Sequence, residues 1–496
     1  MKQKLVVIFL AMQILVALVA VSCATDESTV KTPSNNDSLS AEESATETER
    51  KSAAVPGKDY GGVKFDIFVS GNWDNEWTES YDFYAPEQTG ELINDAVYLR
   101  NKIIEDRYNI EINEINIRGQ ASGGNGAGAQ EITKIVAAGD KSYDAAMIGT
   151  YDVSNLALKG YLLDLNSQVP YLNLQNEWWD QKANIDLSMK GKMYFTTGDI
   201  SMLDNDCTYC ILFNKMLIVD YNFENPYEMV RAHTWTMDKF VSMAKQVSSD
   251  LNGDSKFDQN DLYGMCVWQD GMLAAINAAG GRIGKINENG EIELTLNTER
   301  NIDMLTKFMS LVYDRSVAFS IYHSGDHIEN MFANDQVLFY NRYLNIVKKY
   351  RNMDTDFGIL PFPLYEESQK EYYTTVHAYG NSFICVPLVV EDIEMTGIVL
   401  EDMACESMYI ITPAYYDISL QGKLLRDDES SEMLDIILST RLYDVGASYQ
   451  IGTYNERIMD MFRHNTTDFA SMYKKYEKQA LRDIEKINEA FSEVLG

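Results

Sequence analysis

The sequence predicts an α/β fold in two domains, and three observations predict it. Strand-like and helix-like stretches alternate over the first part of the folded chain. The stretch from Asp59 to Gly496 is too long for one ordinary core. Hydrophobic residues at 45% and aromatics at 11% are ample for globular packing. In order, Val63 to Val69 reads as a short apolar strand. Leu92 to Tyr108 reads as a helix with Ile93, Val97, Ile104 and Tyr108 on one face. Ile110 to Ile117 is a strand, Gln130 to Ala138 a helix and Tyr143 to Ile148 a further strand. Such a βαβαβ run makes a mostly parallel sheet covered by helices, with ligands beyond the carboxyl ends of its strands. Two stretches, Ser70 to Asp74 and Gly149 to Asp152, therefore fall at the edge of a candidate site. Thr236 opens a later helix carrying Met237, Phe240, Val241, Ala244 and Val247 on one stripe, and Asp468 to Leu495 is a long amphipathic helix.

The N-terminus carries a different signal. Lys2 and Lys4 precede an apolar run, Leu5 to Val21, and small residues lead into Cys23. This is the pattern of a secretory signal closing on a lipid-attachment cysteine, giving residues 1–23 as a lipoprotein signal peptide and Cys23 as the lipidation point. Residues 24–58, rich in Ser, Thr, Asp and Glu, offer too little apolar surface to order and read as a disordered tether. A body so held works outside the cytoplasm, touching the membrane only through its lipid. Net charge is −33 with no basic run, which excludes nucleic acid as a partner. Cys207, Cys210, Cys266, Cys385 and Cys405 form no disulfide framework and read as buried thiols. Gly119 to Gly128 lacks a phosphate-loop ending and reads as a mobile loop, and His323 and His327 as a loop coincidence.

The sharpest local pattern is Asp250 to Asp261. Asp250, Asn252, Asp254, Asp258 and Asp261 stand at positions one, three, five, nine and twelve, and Lys256 offers its carbonyl at seven. Hard cations need this many oxygens from one short loop, so a structural Ca2+ is expected there, and no organic cofactor. Ser255 replaces the glycine usual at position six, and Asp261 the longer glutamate at twelve.

An ordered set of further motifs resembles the family 1 extracellular solute-binding proteins. It comprises Tyr161–Asn166, Gly191–Phe195, Leu212-Phe-Asn-Lys215, Asn225-Pro-Tyr, Thr234–Phe240, Leu262-Tyr-Gly264, Met331–Asp335, Phe357–Pro363 and Glu406–Asp417. The resemblance implies two discontinuous lobes of the periplasmic-binding-protein type, hinged around a ligand cleft. Residues 59–202 and 341–388 would form the first lobe, and 203–340 and 389–496 the second. The chain would cross near 199–206, 338–342 and 386–391. It implies a monomer that captures a small solute, most often a carbohydrate, and delivers it to ABC permease subunits in the membrane.

Sugar recognition needs aromatic faces against pyranose rings, with carboxylates and amides reading the hydroxyls. The loops facing the implied cleft supply Trp73, Asp74, Thr150 and Tyr151 from the first lobe, and Asp204 and Asp206 from the first crossing. Trp268 comes from the second lobe, and Arg342 and Tyr343 from the second crossing. No serine elbow or zinc helix marks an enzyme. A carbohydrate-active enzyme, an adhesive surface lipoprotein and a peptide ligand are the alternatives weighed against sugar capture.

Overall fold

The computed structural model describes residues 50–71, 81–117, 123–321, 328–420 and 428–493. Its strands are β1 (Val63–Ser70), β2 (Ile110–Asn116), β3 (Ala145–Gly149), β4 (Tyr209–Asn214), β5 (Tyr263–Val267), β6 (Gly284–Ile286) and β7 (Ile292–Leu294). They continue with β8 (Ala318–Ser320), β9 (Val337–Tyr343), β10 (Phe357–Leu360), β11 (Thr374–Thr375), β12 (Ser382–Cys385) and β13 (Arg441–Leu442). The helices used below are α1 (Leu92–Tyr108), α2 (Ala127–Ala138), α3 (Thr150–Leu158), α4 (Met237–Val247) and α5 (Gly271–Ala278). They continue with α6 (Ile393–Leu420), α7 (Asp428–Ser439), α8 (Val445–Ser448), α9 (Tyr454–Arg463) and α10 (Phe469–Glu493).

Two sheets carry the molecule. The first has the order β12-β3-β1-β2. In it β1 runs parallel to both β2 and β3, and β12 closes the edge antiparallel to β3. This is the βαβαβ unit the N-terminal pattern predicts, with one antiparallel strand returning from far along the chain. The second sheet has the order β10-β4-β9-β5-β8 and is half antiparallel, through the β10–β4 and β4–β9 pairs. Strands β4, β5 and β9 are buried along their whole length, as continuous apolar runs covered on both faces require.

Sheet membership moves two of the expected crossings. The chain passes from first to second sheet between Asp199 and Tyr209, as expected. Strand β9 then turns back through β10, which pairs with β4, so residues 341–360 belong with the second sheet and not the first. The return to the first sheet falls between β10 and β12. Helix α6, expected in the second lobe, instead packs along α1 of the first. Arg107 pairs with Asp402 and with Glu406 (2.8 Å), and the Tyr108 hydroxyl donates to Asp402 at 2.7 Å.

The N-terminal strap also departs from expectation. Residues 51–58 were read as the end of a tether, yet they lie against the body. Ala53 and Val55 pack on the core, the Lys51 amide donates to the Tyr409 hydroxyl at 2.8 Å, and Lys58 pairs with Glu394 at 3.0 Å. The glycine-rich piece is likewise held where it is described. Asp152 accepts the Gly126 and Ala129 amides at the start of α2, and a side chain at Gly124 would collide with the Tyr151 carbonyl. All five described cysteines are free and buried.

Trp178 and Trp179 are buried against α6 and line no cleft. Their indole N–H groups donate to Glu401 at 3.1 and 2.9 Å, and Asn176 and the Asn173 amide donate to the same carboxylate. Burial pushes the Glu401 carboxyl up, while these four donors pull it back. Replacing Glu401 by Ala strands two buried indole donors, each costing about 1–3 kcal/mol when left unpaired, and two part-buried ones. Urea unfolding is expected to show a loss of about 3–5 kcal/mol, at the high end for single substitutions.

Candidate functional site

A cavity sits at the carboxyl end of β3, between the two sheets. Its walls come from α3 (Tyr151), the start of β4 (Tyr209), the start of α5 (Asp270, Asn277), the returning segment 375–379 and the C-terminal helices (Asp444, Asn455). The space left is about 30 Å³, enough for roughly one water molecule. The two halves therefore stand closed on one another, and anything larger enters only when they part. A larger depression of about 570 Å³, around His233, Tyr372 and Thr440, is a shallow outer groove away from the strand ends.

Geometry makes Asp270 the centre of this cleft. It stands at the N-terminal end of α5, where the chain turns after β5. One carboxylate oxygen accepts the Tyr343 hydroxyl, with Arg342 at 3.8 Å and His377 Nε2 at 3.6 Å. The other oxygen, Oδ1, is buried with no hydrogen-bond partner. Burial works against the charge, but the Arg342 guanidinium and the hydroxyls of Tyr343 and Tyr209 outweigh it and hold the carboxyl below its ordinary value. His377 Nδ1 accepts the Gly380 amide at 3.3 Å, and burial pushes the imidazole down to about 4, so it is neutral at physiological pH. Behind Asp270, the Arg342 guanidinium is sandwiched 4.2 Å over Trp268 and 4.3 Å over Tyr343. Tyr343 stacks on His377 at 4.9 Å, and Tyr209 meets Tyr343 edge-on at the same distance. On the opposite wall the Tyr151 hydroxyl accepts from Asn455 at 2.7 Å, and its ring meets Tyr379 edge-on at 6.2 Å.

The residues singled out from sequence separate into groups. Tyr151 lines the cleft. Trp268, Arg342 and Tyr343 come together as expected, but as the layer that positions Asp270 rather than as its wall. Thr150 instead caps the chain return, its amide and hydroxyl both donating to the Asn381 carbonyl. Asp204 and Asp206 are turned from the cleft into buried ion pairs, Asp204 with Arg441 at 3.1 Å and Asp206 with Lys348 at 2.8 Å. Trp73 and Asp74, like His323, His327 and Cys23, lie outside the described residues. Sequence reasoning missed Asp270, though the strand-end rule that selected Tyr151 points to it equally. Asn277, Asp444 and Asn455 carry no local signal, because long-range packing alone brings them in.

In the loop 250–261 every predicted side-chain ligand caps a backbone amide. Asp250 accepts from Gly253 and Ser255, Asn252 from Asp254, Asp254 from Lys256, Asp258 from Asn260, and Asp261 from Leu251 and Asp258. Ser255 takes the left-handed turn at φ +64° that position six requires. Among the described residues no three His, Cys, Asp or Glu side chains converge as a metal cage.

Two α/β halves, joined at a narrow junction and closed over a polar, aromatic-walled cleft, define a hinged binding protein. The chain belongs to the bacterial extracellular solute-binding protein family, whose model matches residues 90–381, more than half of its length. Solved structures agree on the fold. An ABC substrate-binding protein from Listeria monocytogenes, in complex with cycloalternan, is similar over 87% of this chain and 99% of its own, with TM-score 0.54 and 16% identity. The GacH receptor of Streptomyces glaucescens, studied with acarbose, matches over 88% and 98% with TM-score 0.52 and 12% identity. A solute-binding protein from Thermotoga lettingae, bound with α-D-tagatose, matches over 86% and 100% with TM-score 0.51 and 15% identity. No curated protein sequence matches.

Replacing Arg342 by Met keeps the stacked volume and strips the charge beside Asp270. A buried pair broken on one side costs about 3–5 kcal/mol, and urea unfolding at neutral pH is expected to show that loss. The difference should shrink as the pH falls through the acid range, because burial without Arg342 makes Asp270 of the variant take a proton more readily than the native carboxylate, and it then no longer needs a partner.

Proposed function

We propose that this protein captures a neutral, hydroxyl-rich solute, a sugar, in the cleft between its halves and presents it to an ABC permease. The observation that carries this reading is the lining of the cleft. Tyr151, Tyr209 and Tyr379 offer ring faces and edges, Asn277 and Asn455 offer amides, and Asp270 offers an unpartnered carboxylate oxygen. No Lys or Arg stands among the described lining residues, so an anionic ligand would meet carboxylates without a counter-charge. A hydroxyl donated to Asp270 Oδ1 satisfies an acceptor that is costly to leave bare. Family membership and the sugars held by the similar structures support the same class.

Binding rather than turnover fits the carboxylates. Glycoside cleavage uses two working carboxyl groups. The second one here, Asp444, is saturated by the amides of Ile283, Gly284, Gly446 and Ala447. Delivery from outside the cytoplasm agrees with the family, and a lipid on Cys23 would hold the body at the membrane. The loop at Asp250 is proposed to take one Ca2+, because its four carboxylates form no ion pair in the described structure. Its side chains would then swing from the amides they cap.

A thermal-shift screen of the whole chain against mono- and oligosaccharides tests the main reading. A ligand at a hundred times its dissociation constant stabilises the fold by about 2.7 kcal/mol. One neutral sugar series is expected to produce such a shift and to be recovered intact. Shifts only with peptides or acidic sugars would refute the assignment. Asp270→Asn should weaken that binding at least tenfold in the protein that remains folded, its cost in stability being read separately by urea unfolding because it also strips Arg342 of its partner, and Tyr379→Ala, at a half-exposed ring, several-fold. Calcium is expected to raise the melting temperature of the chain and to lose this effect in Asp254→Asn; an unchanged melting temperature returns the loop to a plain acidic turn.

A further inference from the structure

The junction holds a second group of buried charges, away from the cleft. Asp180 and Asp199 lie in the segment tied to the first sheet by the Thr196–Ile384 bridge. Asp204 lies in the first passage between the sheets. Arg441 and Tyr443 follow α7, which packs on β10 of the second. The Arg441 guanidinium bridges Asp180 at 2.7 Å and Asp204 at 3.1 Å. The Tyr443 hydroxyl donates to the same two carboxylates at 3.0 and 3.3 Å, and Asp199 accepts from the Thr412 hydroxyl of α6. Asp180 and Asp204 side chains are 3% and 1% exposed.

Two buried carboxylates thus share one guanidinium, with a third, the partly exposed Asp199, close enough to add to the negative charge. The other titratable groups facing them add no cation: Glu177 toward Asp199, Tyr416 with its partner Asp435, and Cys207 beside Asp204. Two further bases are already paired, Lys348 with Asp206 and Arg282 with the Asp186 that accepts the Tyr443 amide. Like charges crowded in a low dielectric do not all ionise. Burial, helped by Asp180, pushes Asp204 up to about 7 against the pull of Arg441, and burial pushes Asp199 up to about 6.

We propose that this cluster is a proton-operated latch on the hinge: a proton held at Asp204 stabilises the closed arrangement, and its loss as the pH rises favours opening. The groups are placed to act on closure. Arg441 begins β13, which pairs with β11, and β11 leads directly to His377 and Tyr379 of the cleft. Tyr443 precedes Asp444, and Asp204 precedes Tyr209, both cleft residues. Opening would part Arg441 from Asp180 and admit water, letting Asp204 return toward an ordinary carboxylate. The closed form therefore binds the extra proton. Closure is favoured as the pH falls below about 7 and weakened as it rises through that value.

The full-length chain, without added ligand, tests this by infrared titration and small-angle X-ray scattering between about pH 5 and 8.5. The expected result is a protonated-carboxyl band that disappears between about pH 6 and 8, with the radius of gyration rising over the same range. Asp204→Asn, a neutral mimic of the protonated carboxyl, should lose the part of the band that titrates near pH 7, leaving carboxyls such as Asp199 that titrate near pH 6, and hold the smaller radius throughout. No carboxyl titrating above about pH 6 in the native chain, or a radius indifferent to pH, overturns the proposal. The native-chain measurements decide the matter even if the variant does not fold.

Discussion

The structure depends on a narrow junction at which three chain segments lie side by side. The Leu344 amide donates to the Thr208 carbonyl, the His377 amide to the Cys207 carbonyl, and Thr208 bridges Val376. Here the backbone is buried between two sheets that do not pair with each other, so its polar groups must find partners in the neighbouring segments. That requirement ties the start of β4, the end of β9 and the return toward β12 into one unit. The cleft residues Tyr209, His377 and Tyr379 ride on it. A few hydrogen-bonded segments between two well-packed bodies make a hinge, because bending there disturbs neither core.

The charges at the junction follow from the same crowding. Chain segments from both halves arrive with polar side chains and no water to receive them. Two solutions appear a short distance apart. At Asp270, a guanidinium, a tyrosine hydroxyl and a neutral imidazole surround one carboxylate and leave a single buried oxygen, in the wall of the cleft, without a hydrogen bond. At Asp204, one guanidinium is divided between two carboxylates. The first arrangement holds its charge and has a spare acceptor, which suits recognition. The second is short of positive charge, which suits proton uptake. Arg342 and Arg441 are not interchangeable with lysine in these places, since each relies on a planar group that stacks or bridges.

Much of the fold was legible along the chain. The alternation from Val63 to Ile148 specified the β1–α1–β2–α2–β3 unit, because each element buries one face against its sequence neighbours. The amphipathic stripe after Asp468 emerged as α10. The lobe boundaries were less legible. Strand β10 and helix α6 have no local feature that names their sheet, and only hydrogen-bond pairing and packing assign them.

The candidate site divides in the same way. Rules that act locally, such as a strand ending and a helix beginning, select Tyr151 from the sequence alone and apply equally to Asp270. Composition by itself argues against nucleic acid as a partner, since a charge of −33 without a basic run repels a phosphate backbone. Tertiary structure alone decided that Asp204 and Asp206 turn into ion pairs, that Arg342 supports and does not line the cleft, and that Asn455 and Asp444 close it. These outcomes hang on partners such as Arg441, 237 residues from Asp204. A carboxylate in a sequence is only a charge; whether it meets a ligand or a guanidinium depends on which distant segment the fold places within about 3 Å of it.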